Sequence, residues 1–318
     1  KLIYHCFQDF IKEIDFDDFE KLDIQSKINL LMSGALNSQD NFIANLKNYL
    51  IPFLKKTFKS ASEEQDLLWN YLESTSKNHL NIVQKIFTNY HTAREFGVIP
   101  EDDIIQNDEN LIKLTLRCIY ANQKSEHLNE SFNIVECLPE KNADVFIQHP
   151  DLDLKVNQMY KQLEVVELLE QYNCQFTVQE IDKIQAEKDE DRVKKLIYKI
   201  LRNFSKKFNS EPILNKENDW LQLFDDLQNI CTLCFENFLS LDDLYIMFVT
   251  TLLGSGRSQT FGLAASFMQL IEEPGSNKRK KLIPFKLSLE LIIEATKNYI
   301  NSANSICDDS VELAQECL

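Results

Sequence analysis

Glycine and proline are scarce in this sequence, with six Gly and seven Pro among 318 residues. Proteins built from short strands need a turn every ~8–12 residues, and many of those turns use Gly, Pro, Asn or Asp. No segment sustains the alternation of polar and apolar residues that is typical of a strand, and the nearest, residues 145–147, is cut short by His149-Pro150. The shortage of turn residues therefore favours long helices with short connections.

Long hydrophobic runs are also missing. The sequence contains no stretch of about 18 apolar residues, which argues against a transmembrane helix. Its first residues include His5, Gln8 and Asp9 and lack the apolar core of a signal peptide. We therefore expect no membrane insertion. Because the sequence starts without Met and ends inside a predicted helix at 312–318, we expect it to be part of a longer protein.

Positive charge is in deficit, since 34 Lys and Arg stand against 50 Asp and Glu, for a formal net charge of −16. Phosphate backbones attract Lys and Arg, so this balance argues against direct binding of nucleic acid. It also argues against a broad electrostatic attraction to anionic lipid. Long-range steering would favour basic partners.

Helical periodicity, by contrast, runs from end to end of the sequence. Residues 109–121 are apolar on two sides, which predicts a helix packed between neighbours. Pro52 lies inside another apolar stripe and should kink or split its helix. The clearest stripes are Phe42, Leu46, Tyr49, Leu50, Phe53 and Leu54; Leu80, Val83, Ile86, Phe87 and Tyr90; Trp220, Leu223, Phe224, Leu227, Ile230, Cys231, Cys234, Phe235 and Phe238; and Leu287, Leu291, Ala295 and Tyr299.

Helix starts and breaks carry their own signals. Thr177-x-x-Glu180 and Ser240-x-x-Asp243 resemble capping boxes. Breaks are predicted at 98–108, 139–151, 187–191, 205–218 and 272–285.

The fold class predicted from this pattern is all-α. No strict repeat of fixed period occurs, so tetratricopeptide or ankyrin consensus arrays are not supported. We predict an irregular α-solenoid of stacked antiparallel helix pairs, forming one segment over residues 1–318. In such a stack each helix pair contacts mainly its neighbours, and extended surface becomes available to partners.

Eight cysteines are spread along the chain, and two of them, Cys231 and Cys234, form a CxxC. A zinc site needs two further ligands, and the five histidines show no metal-ligand spacing. A spacing of three places both thiols on the apolar side of a helix. We therefore interpret the pair as reduced packing residues, and a helical enzyme with a metal at this pair is the weaker alternative.

The other motifs indicate structure rather than chemistry. Gly254-Ser-Gly256 lacks the Lys-Ser/Thr ending of a nucleotide loop and follows no strand, so a turn between helices is the better interpretation. The basic run at 278–281 could touch acidic lipid or an acidic partner, but a solvated loop is favoured. The carboxylates at 15, 17, 18, 101–103 and 187–191 are interpreted as solvated charge, and no nucleophile elbow is present. We predict no catalytic, cofactor-binding or metal-binding residue.

Six segments carry a family resemblance by their order and their packing pattern. They are VECLPE at 135–140, LEVVELLE at 163–170, WLQLFDD at 220–226, GLAA at 262–265, YINS at 299–302 and ELAQECL at 312–318. In this order they resemble the secretory pathway protein 39 family, most clearly over residues 115–318. None of the segments is a catalytic motif.

The resemblance implies a non-enzymatic scaffold subunit of a vesicle-tethering complex, peripheral at the cytosolic face of the endoplasmic reticulum. Such a complex captures coat-protein-I vesicles in Golgi-to-ER retrograde transport, and its partners are rod-shaped tether subunits and SNARE proteins.

Animal members of the family are also linked to nonsense-mediated mRNA decay, so a protein-binding regulatory module in that pathway is the alternative. They carry a β-propeller before this domain and a long remainder after it, and the functions of those parts are not expected of residues 1–318. The resemblance assigns no partner-binding residue.

Overall fold

The computed structural model of this chain describes residues 16–98, 104–210, 216–269, 283–305 and 308–318. Within these ranges there is no strand, and Met268 and Ile283 form an isolated parallel bridge. The predicted all-α class is confirmed. The α-helices are α1 (Phe16–Lys21), α2 (Ile24–Leu31), α3 (Gln39–Asn45), α4 (Ile51–Thr57), α5 (Ala61–Glu95), α6 (Asp108–Ala121), α7 (Leu128–Val135), α8 (Asp144–Gln148), α9 (Pro150–Gln171), α10 (Val178–Glu187), α11 (Glu190–Ser210), α12 (Lys216–Ile230), α13 (Leu241–Leu253), α14 (Gln259–Ser266), α15 (Phe285–Ser302) and α16 (Asp309–Cys317).

The chain divides into two compact units. The first comprises Lys1–Leu163 with Thr177–Glu180, and the second comprises Glu164–Phe176 with Ile181–Leu318. The single segment expected over 1–318 stays a prediction.

The first unit is organised around the long helix α5. Helices α3, α4, α6 and α7 all pack against it. Its predicted stripe from Leu80 to Tyr90 is buried, as are the residues on both apolar sides of α6 except the half-buried Tyr120. The expectation that residues 109–121 lie between neighbours is therefore confirmed.

Helix α5 is bent at His79, whose φ of −136° and ψ of 44° are not helical. At this point the backbone N–H of Gln123 donates to the carbonyl oxygen of Lys77 at 3.0 Å. In a regular helix that carbonyl would accept from the N–H of Asn81. The bend thus coincides with an amide from another segment that enters the hydrogen-bond ladder, which is a known cause of helix kinks.

The segment that supplies this amide is held by a buried side chain. Asn122 is buried, its Nδ2 donates to the carbonyl oxygen of Lys124 at 3.0 Å, and its Oδ1 accepts from the N–H of Lys124 at 3.1 Å. The ring Nδ1 of His127, also buried, lies 3.3 Å from the same Oδ1. These contacts fix the turn after α6 and so fix the position of Gln123.

Pro52 alters its helix by widening one turn. Residues Leu46–Leu50 form a π-helical turn between α3 and α4, and the N–H of Ile51 donates to the carbonyl oxygen of Leu46, five residues back. The backbone stays right-handed helical on both sides of the turn. A wide turn accommodates the residue that has no N–H, so the helix is locally rewound without being split.

An aromatic cluster forms the core of the second unit. The ring of Phe224 on α12 lies 4.7 Å from Phe248 and 5.1 Å from Phe267, between centroids. The ring of Trp220, one turn earlier, lies 4.8 Å from Phe204 on α11. The Phe224–Phe267 and Trp220–Phe204 pairs are edge-to-face, and such pairs add roughly 0.5–1.5 kcal/mol each beyond the area they bury. The predicted stripe over 220–238 is the buried side of this helix, with Phe238 half-buried.

The predicted helix starts have the expected capping contacts. The N–H of Glu180 donates to Thr177 Oγ1 at 3.3 Å, while Glu180 Oε2 accepts from the N–H of Thr177 at 2.8 Å. Ser240 Oγ accepts from the N–H of Asp243 at 3.1 Å. The break predicted at 187–191 separates α10 from α11, and the break at 139–151 contains the short helix α8. The breaks at 98–108, 205–218 and 272–285 lie partly outside the described residues.

Two leucines of α12 provide a matched test of this core. Leu223 is 0% exposed and Leu221 is 37% exposed. Leu223→Ala should lower the free energy of unfolding by about 2–5 kcal/mol, because it removes packed atoms and leaves a cavity. Leu221→Ala should change it by less than about 1 kcal/mol. Urea denaturation followed by circular dichroism measures both, and equal losses in the two variants would contradict the described orientation of α12.

Candidate protein-binding surfaces

The CxxC pair lies in a π-helical turn, Cys231–Phe235, that continues α12. Cys231 and Cys234 are both buried, and Gln185 Nε2 donates to the carbonyl oxygen of Cys234 at 2.8 Å. Burial raises the pKa of the Cys231 thiol to about 12, so this thiol is protonated at neutral pH. Metal ligation needs the thiolate, and this environment disfavours it. The turn therefore joins α12 to α10 by packing.

In the described part of the chain, no group of three or more His, Cys, Asp or Glu side chains is placed to hold a metal ion. Cys6, Cys307 and His5 lie outside the described residues. The predictions of no metal site and no catalytic site stay predictions.

The glycine-containing loop after α13 is a turn held by a tyrosine. Gly256 has a φ of +74°, a conformation that favours glycine, and its N–H donates to Tyr299 Oη at 3.0 Å. Tyr299 Oη in turn donates to the carbonyl oxygen of Leu253 at 2.6 Å. A phosphate cradle needs free backbone N–H groups, and Tyr299 already occupies this one. The loop thus connects α13 and α14 to α15.

Of the remaining charged segments predicted to be solvated, some lie outside the described residues and others are exposed. The basic run at 278–281 and the acidic residues at 15 and 101–103 lie outside the described residues. Asp17 and Asp18 are exposed on α1, and Lys21 donates to Asp18 Oδ1 at 3.0 Å. Glu187 pairs with Arg192. The described carboxylates Asp17, Asp18 and Glu187 are exposed, as predicted for solvated charge.

A groove of about 720 Å³ lies in the first unit. It is bordered by α5, α6 and the first turns of α9. Its floor and walls include Trp69, Lys77, Lys113, Arg117, Tyr120 and Lys155.

The charges of this groove are largely paired within the chain. Arg117 Nε donates to Glu73 Oε2 at 2.7 Å, and the guanidinium lies 5.9 Å above the ring of Trp69. Lys113 Nζ lies 2.6 Å from Glu109 Oε1. Trp69 is buried, and its Nε1 has no hydrogen-bond acceptor among the described residues. Two of the four cations of the groove, Lys113 and Arg117, are therefore already paired with carboxylates of the chain.

A row of cations on α11 was not singled out from the sequence. Lys195, Lys199, Arg202 and Lys206 stand four, three and four residues apart, a spacing that places them along one side of a helix. We call these four residues the basic stripe. All four are exposed, and they span roughly 16 Å along the helix axis at about 1.5 Å per residue. The spacing is present in the sequence, but the overall net charge of −16 gives no indication of a local cluster of cations.

The basic stripe differs from its neighbours in having no acidic partner. In the described part of the chain, no carboxylate lies within 4.0 Å of any of its four side chains. Lys199 Nζ instead lies 5.1 Å above the ring of Phe176. Arg192 and Lys194, at the start of the same helix, are paired with Glu187 and Glu190. Within the described ranges, positive charge on α11 is therefore paired at its first turn and has no carboxylate partner along the stripe.

The opposite side of α11 belongs to the core of the second unit. Helix α11 packs against α13, and the ring of Phe204 contacts Trp220. Its apolar side chains are consequently not available to a lipid bilayer. The fully or nearly fully buried ones are Val193, Leu196, Ile197, Ile200 and Leu201.

The thiol of Cys231 should be unreactive in the folded protein. A pKa raised from 9.0 to about 12 lowers the thiolate fraction at pH 8 by about a thousand-fold. Alkylation mapped by mass spectrometry should therefore be slow until urea unfolds the chain. A thiol introduced by Asn237→Cys, at an exposed position nearby, should react quickly under the same conditions. Fast labelling of Cys231, or one zinc per chain that is lost in Cys231→Ser, would contradict the packing role.

Removing the hydroxyl of Tyr299 should destabilise the second unit. Tyr299→Phe removes the hydrogen bonds to the N–H of Gly256 and the carbonyl oxygen of Leu253, at a cost of about 0.5–1.5 kcal/mol. Tyr198→Phe is the control, because the Tyr198 side chain is 47% exposed. Thermal unfolding of both variants checks this. Equal midpoints would show that the hydroxyl of Tyr299 contributes nothing.

No described helix is both long enough and apolar enough to cross a bilayer.

Two curated relatives align with nearly the whole chain. The NBAS subunit of the NRZ tethering complex from Homo sapiens is 28% identical over 306 residues, which cover 92% of this chain and 12% of the relative. MAG2-interacting protein 2 from Arabidopsis thaliana is 23% identical over 305 residues, which cover 94% of this chain and 12% of the relative. The chain thus spans about an eighth of the length of these proteins. No solved structure matches it.

A family model also matches the chain. It is described as secretory pathway protein Sec39 and matches residues 1–163. The matched region is the first half of the chain, whereas the segments that carried the resemblance lie mostly in the second half, and the two relatives align across both. The chain belongs to the secretory pathway protein Sec39 family.

Proposed function

We propose that this chain is a scaffold segment of a vesicle-tethering subunit at the endoplasmic reticulum, acting in Golgi-to-ER retrograde transport. The observation that carries the proposal is the alignment of 92% of the chain with a protein whose name makes it a subunit of a tethering complex. In this role the chain binds rod-shaped tether subunits and SNARE proteins, performs no catalysis, and is located in the cytoplasm at the cytosolic face of the membrane.

The internal construction of each unit supports a scaffold. Consecutive helices pack on one another at α5–α6, α12–α13, α13–α14 and α15–α16. Packing between sequence neighbours is the basis of helical solenoids, and we propose that the helix pairs stack as an irregular α-solenoid. The groove and the basic stripe supply surface at which a protein partner could be held.

The alternative function, a protein-binding regulatory module in nonsense-mediated mRNA decay, stays a prediction.

Assembly with tether subunits tests the proposed function. The tagged chain is co-expressed with the rod-shaped tether subunit and the SNARE proteins of the same organism, and complexes are separated by affinity capture and gel filtration. We expect the chain to co-elute with the tether subunit. A helical protein of similar size and net charge serves as the control for electrostatic adsorption. Recovery of neither the tether subunit nor the SNARE proteins would contradict the proposal.

A further inference from the structure

The basic stripe on α11 has no explanation in the stability of its own helix. Like charges three and four residues apart on a helix repel each other. The four side chains have no carboxylate within 4.0 Å in the described part of the chain, although the sequence holds 50 Asp and Glu. Among the described residues, the charge of the stripe is therefore not neutralised by a carboxylate.

The stripe concentrates positive charge on a chain whose net charge is negative. From residue 192 to residue 207 the sequence has seven Lys and Arg and no Asp or Glu, whereas the whole chain carries −16. A negatively charged partner is attracted at the stripe, although the net charge of the whole chain opposes its approach. Such a pattern favours one docking position over others more than it raises raw affinity.

The spacing of the four cations matches an α-helix better than an extended peptide. Along α11 they are separated by roughly 6, 4.5 and 6 Å, at about 1.5 Å per residue. On an extended strand, side chains on one side recur every ~6.6–6.8 Å and would fall out of register before the fourth cation. A second helix with carboxylates four, three and four residues apart would meet every cation. The pattern is the same from either end, so it does not fix the direction of the partner helix.

A lipid surface fits the stripe less well than a helix. Helices that lie in a membrane interface insert an apolar face, and the apolar side of α11 is buried in the core of the second unit. The net charge of −16 also opposes approach to a flat anionic bilayer. The observations favour a protein partner.

We propose that the basic stripe docks an acidic α-helix of a partner protein, whose Asp and Glu side chains recur with the spacing of Lys195, Lys199, Arg202 and Lys206. The inference rests on the proposed scaffold function, because it names the chemistry of one partner that the scaffold holds. The contact is an electrostatic one at the surface, so it weakens as salt is added.

A synthetic peptide pair provides the probe. One fluorescein-labelled helical peptide carries four glutamates spaced four, three and four residues apart. The other has the same composition with the glutamates distributed around the helix. Fluorescence anisotropy with the whole chain measures binding at low and at physiological salt. We expect the spaced peptide to bind at least about ten-fold more tightly than the distributed one, with a strong dependence on salt.

Three sets of substitutions locate the contact. The triple variant Lys195→Glu, Arg202→Glu and Lys206→Glu should weaken binding of the spaced peptide by at least about ten-fold. The charge-conserving variant Lys195→Arg, Arg202→Lys and Lys206→Arg should retain binding. The control set makes the same change in net charge at exposed lysines elsewhere and should also retain it; its members are Lys161→Glu, Lys286→Glu and Lys297→Glu. Circular dichroism checks that each variant is folded.

Several outcomes would overturn the inference. They are no binding of the spaced peptide at low salt, equal binding of the two peptides, and unchanged binding in the triple charge-reversal variant. Vesicles containing phosphatidylserine form a further arm. Vesicle binding that is tighter than peptide binding and lost in the same variant would reassign the stripe to a lipid surface.

The same preparations separate this inference from the proposed function. If the wild-type chain assembles with the tether subunit but does not bind the spaced peptide, the inference fails and the proposed function stands. If the chain binds the peptide through the stripe but assembles with neither tether subunit nor SNARE protein, the proposed function fails and the stripe remains a site for acidic helices.

Discussion

A short helix with one apolar stripe is only marginally stable in water, so every helix of this chain depends on a neighbour to cover its stripe. In the second unit this dependence converges on α12 and α13, where Phe224 lies between Phe248 and Phe267. In the first unit it converges on α5, whose buried side is covered by α3, α4, α6 and α7. Because the apolar sides are committed to this packing, the exposed sides are left to carry charge and contact partners.

Much of this arrangement could be predicted from the sequence. The stripes over 42–54, 80–90 and 220–238 are buried, Thr177 and Ser240 cap helices, and Cys231 and Cys234 pack inside. Period and capping are properties of neighbouring residues, so a sequence shows them directly. The position of Tyr299 between α13 and α14 was not predictable, because a hydroxyl contact 43 residues away has no local signature. The basic stripe lay between these cases, since its spacing is local but its lack of partners is not.

The family assignment and the described surfaces inform different levels of function. Membership in the Sec39 family rests on residues 1–163, a range that includes the buried sides of α5 and α6. Packing residues preserve a fold without specifying which protein is bound to it. A partner is chosen by exposed residues such as Arg117 in the groove or Lys199 on α11, and family membership alone says little about those.

The bend of α5 at His79 joins parts of the chain that are far apart in sequence. The second half of α5 takes its direction where the amide of Gln123 meets the carbonyl of Lys77, and that amide is positioned by the buried side chain of Asn122. The turn after α6 therefore contacts α5 at a residue 46 positions earlier in the sequence, at the point where α5 bends. Lengthening that turn by a single residue would move the amide of Gln123 and so change the direction of the second half of α5. The shape of the first unit can therefore change without any change in its apolar side chains.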